Sequence, residues 1–132
     1  MSHLHALTLS AALTWVMLLT ASLLRSRGWT PPGMKLAFGN REQMPPDTPL
    51  TGRADRAAKN MVENLVLFTA VLAAGRLAGV DPATLDTGST VFLAARLAYF
   101  PVYLAGVAYL RTAIWGVSLY GMALIGHATL VS

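Results

Sequence analysis

The sequence predicts an all-α membrane protein, a single-domain bundle of four transmembrane helices that spans residues 1–132. Hydrophobic residues make up 55% of the chain and charged residues only 12%, whereas ordinary soluble domains contain about 25% charged residues. The apolar residues fall into four long blocks, each of which is long enough to cross a ~30 Å hydrocarbon core as a helix. Helix is the expected conformation because lipid offers the backbone no hydrogen-bond partners.

The four predicted spans lie at about residues 4–24, 56–80, 89–110 and 112–131. The first block contains no charged residue, and its nearest basic residues, Arg25 and Arg27, follow it rather than precede it. It is therefore interpreted as a retained span rather than a signal peptide. Residues 25–52 form a polar connection in which five prolines predict that no helix forms. Arg111 separates the last two blocks.

The distribution of Lys and Arg predicts the orientation of the chain in the membrane. Six basic residues lie in or beside the first connection, namely Arg25, Arg27, Lys35, Arg41, Arg53 and Arg56. The third connection contains Arg111, whereas the second contains Asp81 and Asp86. The positive-inside rule therefore places the first and third connections in the cytoplasm and both termini outside.

Several classes of function are excluded by what the sequence lacks. There is no cysteine, which excludes disulfides, thiolate metal sites and a catalytic cysteine. There is no Gly-rich phosphate loop, no H-E-x-x-H and no G-x-S-x-G motif, and no metal site is predicted. Nucleic acid is not an expected partner because the chain has no soluble surface large enough to carry a basic footprint.

Two polar stripes interrupt the apolar blocks, one on the second span and one on the third. The first stripe consists of Arg56, Asn60 and Glu63, and the second consists of Arg96, Tyr99 and Tyr103, with Arg111 continuing it. The spacing within each stripe places its residues on one face of the helix. Ionisable groups at membrane depth cost several kcal/mol unless they are paired or hydrated. We therefore expect both stripes to turn toward protein or a water-filled cleft, where Glu63 and Arg96 can meet. Together the Arg, Asn, Tyr and Glu side chains of the two stripes suit a small ligand with carboxylates and an ammonium group, because Arg binds carboxylates in a bidentate manner.

Each stripe also has a purely structural interpretation. Arg56 and Lys59 can extend to the interface while their stems stay in lipid. Asn60 and Glu63 can hold helices together, and the two tyrosines can belong to an interfacial aromatic belt. Arg76, on the opposite face near the other end of the second span, is interpreted as an interfacial anchor.

The residues of the two stripes resemble the motifs of a known family. The stretch Arg56-Ala57-Ala58-Lys59-Asn60-Met61-Val62-Glu63-Asn64, followed by Leu67-Phe68, resembles the R-x-x-x-N-x-x-E signature in the second helix of the MAPEG family, the membrane-associated proteins of eicosanoid and glutathione metabolism. The stretch Ala95-Arg96-Leu97-Ala98-Tyr99-Phe100-Pro101-Val102-Tyr103 resembles the third-helix A-R-x-x-Y-x-x-x-Y pattern of its leukotriene-C synthase branch. The resemblance covers essentially the whole chain.

The resemblance implies a homotrimer of four-helix subunits, with glutathione bound between neighbouring subunits near the cytoplasmic side. It implies glutathione contacts from Arg56, Asn60, Glu63, Arg96, Tyr99 and Tyr103. Arg111 resembles the catalytic arginine that stabilises the glutathione thiolate, although it lies one residue farther from Arg96. Asn64 stands where the leukotriene-C branch has tyrosine. The similarity to bacterial-type members implies a location in the bacterial inner membrane.

Three functions are compatible with these observations. The first is a glutathione-dependent transferase or peroxidase that uses glutathione as co-substrate and acts on an apolar small molecule arriving from the bilayer. The second is a non-catalytic adapter or binding protein, in which the stripes only hold subunits together. The third is a small transporter, which is disfavoured because the first block, Leu4–Leu24, contains no carboxylate.

Overall fold

Five helices make up the computed structural model, which describes all 132 residues. They are α1 (His3–Ser26), α2 (Pro31–Phe38), α3 (Pro49–Leu77), α4 (Pro82–Leu104) and α5 (Ala108–Val131). The predicted all-α class is confirmed. Three of the helices, α1, α3 and α5, are long and apolar enough to cross a membrane. Helix α4 has a similar length, but its polar residues exclude it from that set.

A short helix, α2, lies within the predicted polar connection. Its two prolines, Pro31 and Pro32, occupy the first turn, where a backbone N–H has no partner inside the helix and proline is well tolerated. Thr30 caps the helix because its hydroxyl accepts a hydrogen bond from the Gly33 amide at 3.1 Å. The expectation that the prolines exclude any helix from residues 25–52 was therefore wrong for this stretch.

Helix α3 begins earlier than the predicted second span. Thr48 and Thr51 form a reciprocal capping box at its start, which satisfies backbone amides that the helix itself leaves without partners. Pro49 occupies the first helical position. As a result, the helix extends well beyond the apolar block and includes Arg53 and Arg56 within its first two turns.

The boundary between α4 and α5 also lies earlier than the sequence predicted. Helix α4 ends at Leu104, and Gly106 turns the chain with a positive φ of 77°, a conformation that glycine adopts without strain. Helix α5 then begins at Ala108. Arg111 therefore lies in the first turn of α5, and not in a connection between two helices as predicted.

The bundle core is built from aromatic stacking and from close helix contact. Phe68 of α3 and Phe92 of α4 stack with ring centroids 4.1 Å apart. Helices α4 and α5 approach most closely at Gly88 and Gly121, where a Cβ on either glycine would lie 2.6 Å from the carbonyl oxygen of the other. Small residues thus allow two backbones to meet, which is a common device in membrane helix packing.

The bundle has two distinct ends. The end that holds both chain termini, here called the terminus end, also contains the turn between α3 and α4. The opposite end, here called the connection end, contains α2 with its flanking segments and the turn between α4 and α5. Most basic residues of the sequence lie at or near the connection end, whereas Arg76 lies at the terminus end.

Candidate functional site

A buried arginine forms the centre of the polar site between α3 and α4. Arg96 of α4 is 0% exposed. Its Nη2 donates a hydrogen bond to Asn60 Oδ1 at 2.8 Å, and its Nε points at Met61 Sδ at 3.2 Å. Its Cζ lies 4.1 Å from the centroid of the Tyr99 ring. The guanidinium is therefore held between an amide, a thioether and an aromatic face.

One nitrogen of this guanidinium has no partner. Arg96 Nη1 is buried and makes no hydrogen bond within the chain. A buried donor without a partner costs about 1–3 kcal/mol, and more when the group is charged. The site therefore keeps free hydrogen-bonding capacity beside a positive charge, which suits a carboxylate or another anionic acceptor.

Two tyrosines continue the site toward the connection end. The rings of Tyr99 and Tyr103 meet edge to face with centroids 5.4 Å apart. The Cζ of Arg111, on α5, lies 4.5 Å from the Tyr103 centroid. Arg96 thus makes a cation–π contact with Tyr99, and Arg111 makes one with Tyr103; both contacts are favourable. The two rings thus separate two cations, one buried and one half-buried.

Asn64 belongs to the site although its role was not predicted. It is buried, and its side-chain amide donates to the Asn60 carbonyl oxygen at 2.8 Å and lies 3.3 Å from Asn60 Oδ1. It therefore helps to orient the amide that binds Arg96. The i, i+4 spacing of the two asparagines was the signal in the sequence. We call the connected set the polar ladder, which consists of Asn64, Asn60, Arg96, Tyr99, Tyr103 and Arg111.

Two predicted site residues lie outside the polar ladder. Arg56 and Glu63 of α3 are exposed on the surface of the subunit. Neither forms an ion pair within the chain, so the expected meeting of Glu63 with Arg96 does not occur within one subunit. The reason is the rotation of α3, whose inward face carries Ala57, Met61, Asn64 and Phe68.

A second polar network lies at the terminus end. The His3 ring is buried between two charged side chains: its Nδ1 is 2.5 Å from Asp86 Oδ1, and its Nε2 is 2.9 Å from Arg76 Nη1. The His3 amide also donates to Asp86 Oδ1, at 2.7 Å. Arg76 was interpreted as an interfacial anchor, but here it joins α3 to α1 and α4 through His3. No spacing pattern within one helix could predict this contact, because the three residues come from three helices.

The chain belongs to the MAPEG family. The family model matches residues 2–131, which is nearly the entire chain. Among curated proteins, none matches the sequence.

Family membership and the helices together define the class of protein. The MAPEG family comprises helical membrane proteins, many of which use glutathione. Together with three long apolar helices, this makes the chain a multi-pass integral membrane protein. The resemblance seen in the two motifs is confirmed at the level of the family. The polar ladder contains five of the seven predicted site residues, and they lie on α3, α4 and α5 of one subunit.

Proposed function

We propose that this MAPEG protein is a membrane-bound glutathione-dependent transferase or peroxidase. The observation that carries the proposal is the buried Arg96 with its unpaired Nη1. A buried cation with free donors is suited to a ligand carboxylate, and glutathione carries two carboxylates and an ammonium group. Asn60 lies beside the same guanidinium, and the two tyrosines add polar hydroxyls and aromatic surface. The donor set present therefore fits the co-substrate.

Arg111 is the proposed activating residue. In this proposal the glutathione carboxylates bind toward Arg96, and the thiol lies near Arg111. A positive charge beside a thiol lowers the thiol pKa and raises the fraction of thiolate, which is the nucleophile. The thiolate sulfur then bonds to an electrophilic carbon of an apolar substrate and displaces its leaving group. With a lipid hydroperoxide, two glutathione thiols form a disulfide while the O–O bond is reduced to an alcohol and water.

This chemistry requires no nucleophile from the protein, which suits a chain without cysteine. The apolar substrate would reach the site from the bilayer. The most direct test is to measure glutathione binding to the purified protein, followed by activity toward an aryl halide and a lipid hydroperoxide. Binding with activity toward either substrate supports the proposal, whereas absence of glutathione binding contradicts it.

The exposed charges on α3 support an oligomer, and the family resemblance implies that this oligomer is a homotrimer. Glu63 lies midway along a helix of 29 residues, so its carboxylate would face lipid if the subunit were alone. Such a charge is costly at membrane depth, and a second copy of the chain is the simplest cover. Arg56 and Glu63 would then contribute to glutathione binding across a subunit boundary. Native mass spectrometry in mild detergent tests the assembly, and a monomer would contradict it.

Helix α4 is the proposed fourth crossing. Its 23 residues correspond to about 35 Å of helix. The polar side chains in its C-terminal half, Arg96, Tyr99 and Tyr103, are buried inside the subunit, and Asp86 lies in its first turns and is paired with His3. Four crossings place both termini on the same side of the membrane. Because the connection end is basic, the positive-inside rule predicts that this end is cytoplasmic and that the termini are outside. A cysteine introduced at Lys35 should resist labelling from outside intact cells. Labelling from outside would overturn this topology.

The adapter function remains the second candidate. The observation that favours it is that Arg56 and Glu63 lie outside the polar ladder and can serve subunit contacts alone. An adapter would form the oligomer but bind no glutathione. Glutathione binding by the oligomer therefore separates the two functions.

A further inference from the structure

Helix α2 and its flanks expose large apolar side chains. Trp29 is 67% exposed, Met34 is 41% exposed and Phe38 is 85% exposed. Met34 and Phe38 are four residues apart and therefore lie on the same side of the helix. We call these three side chains the apolar strip. Exposure of three large apolar side chains to water is unfavourable, so we expect lipid or protein to contact the strip.

Close packing against α1 fixes the direction in which the apolar strip points. Gly33 is buried, and a Cβ at this position would overlap the carbonyl oxygens of Ser26 and Arg27. The first turn of α2 therefore lies directly against the C-terminal end of α1. Leu36 and Ala37 are partly covered, whereas Met34 and Phe38 remain open.

The chain after α2 turns back along α1. Arg41 Nη2 donates a hydrogen bond to Ser22 Oγ at 2.8 Å, and Ser22 lies about 6 Å before the end of α1. Arg25 of α1 donates to the Pro45 carbonyl oxygen and lies 3.5 Å from Asp47. Helix α1, with 24 residues, is about 36 Å long, against a hydrocarbon core of about 30 Å. Its last turn, and α2 beside it, therefore lie at the level of the lipid headgroups.

The charged residues of the segment that carries the apolar strip are all basic, and the first acidic residue, Glu42, lies just after this segment. Residues 27–41 contain Arg27, Lys35 and Arg41 and no acidic residue. Arg27 and Lys35 are exposed and make no side-chain hydrogen bond or ion pair. Tryptophan prefers the membrane interface, and basic residues at that depth attract anionic lipids.

We propose that residues 27–41 form an interfacial anchor that binds anionic phospholipid headgroups. The apolar strip lies among the upper acyl chains, and Arg27 and Lys35 contact headgroup phosphates. Helix α1 also exposes Leu18 and Leu19 on its membrane-spanning length. A second copy of the same segment is a poorer cover because it would bring like charges together. The proposal requires only that the chain is a membrane protein, and it is independent of glutathione binding.

The test uses Trp29 as a reporter in lipid nanodiscs. Replacing Trp15 and Trp115 with phenylalanine leaves Trp29 as the single tryptophan. Nanodiscs of phosphatidylcholine receive a minor fraction of brominated phosphatidylcholine or of brominated phosphatidylglycerol, because bromine quenches tryptophan on contact. We expect both to quench Trp29 and the anionic lipid to quench it more strongly, since the basic residues enrich that lipid locally.

Two matched variants test the role of charge. The double variant Arg27→Gln and Lys35→Gln should have a weaker preference for phosphatidylglycerol over phosphatidylcholine. Each lost charge should lower the relative affinity for the anionic lipid roughly fivefold at low ionic strength. The double variant Arg27→Lys and Lys35→Arg keeps both charges and should retain the preference. Equal quenching by the two lipids in the parent protein would overturn headgroup binding. A Trp29 that neither lipid quenches would show that protein or water, rather than lipid, covers the strip.

Discussion

The two ends of the bundle each contain a polar network, but only one of the networks is closed. At the terminus end, Asp86 is a carboxylate acceptor, so the His3 Nδ1 carries the hydrogen. In the neutral ring this leaves Nε2 to accept from Arg76. Both nitrogens of the buried ring thus have partners. Near the connection end, Arg96 binds Asn60 and faces Tyr99, yet its Nη1 has no partner.

This difference separates a structural network from a binding site. Both networks join three helices, so the joining of helices alone does not indicate function. A network in which every buried donor and acceptor is satisfied stabilises one arrangement and has no unpaired buried group for a ligand to satisfy. A network with a free buried donor gains when an acceptor arrives, because the cost of the unpaired group is removed. Substitutions at the two ends should therefore have opposite consequences for binding and for stability.

The largest effect is expected for Arg96→Ala. This change removes the buried charge that is proposed to bind a glutathione carboxylate, and it leaves that carboxylate without its partner. Such losses cost about 2–5 kcal/mol of binding free energy, which corresponds to a decrease in affinity of roughly thirtyfold or more. Isothermal titration of the purified oligomer with glutathione measures the effect.

Two companion variants make this measurement specific. Arg96→Lys keeps the charge and loses the bidentate geometry, so its affinity should lie between those of the parent and Arg96→Ala. Arg76→Ala also removes an arginine from a helix network, but from the closed one, and should leave affinity nearly unchanged. Equal losses for Arg76→Ala and Arg96→Ala would mean that the open network is not the binding site.

Arg111→Ala should change glutathione affinity less than Arg96→Ala does, but it should change the pKa of the bound glutathione thiol. Arg111 contacts Tyr103 at the edge of the polar ladder and is proposed to stabilise the thiolate. Its removal should leave glutathione binding mostly intact and raise the pKa of the bound thiol, since a nearby positive charge is lost. The absorbance of the thiolate as a function of pH measures this shift. An unchanged thiol pKa would assign activation to another residue.

Much of the fold could be predicted from the sequence because membrane helices depend on composition and length. Each apolar block overlaps one of the four long helices, and the motif around Arg56 and Asn60 identified the family. The helix ends were less accurate, because they depend on caps such as Thr48 and Asp81 that lie outside the apolar blocks. The same holds for α2, where prolines that usually break helices begin one.

The site could be predicted only in part because spacing gives a helix face without giving its rotation. One face of α4 carries Arg96, Tyr99 and Tyr103. All three are buried, as expected of a polar face that turns away from lipid. Arg56, Asn60 and Glu63 also share a face, but α3 presents its Asn60 edge to Arg96 and leaves the other two residues outside. Ala57 and Met61 lie on the buried face of α3. The rotation of the helix follows from packing against its neighbouring helices, which no local pattern encodes.

The smallest effect on binding, and a distinct effect on stability, is expected for Asp86→Asn. Asp86 accepts two hydrogen bonds from His3 and holds the start of α1 against α4. An asparagine can still accept a hydrogen bond, but it lacks the charge that strengthens both contacts. We therefore expect a lower melting temperature and an unchanged glutathione affinity, measured by thermal unfolding in detergent and by titration. Asp55→Asn is the matched control, because Asp55 is exposed on α3 and should alter neither quantity. If Asp86→Asn weakened glutathione binding without lowering the melting temperature, the closed network would have a binding role, and the distinction drawn between the two ends would be wrong.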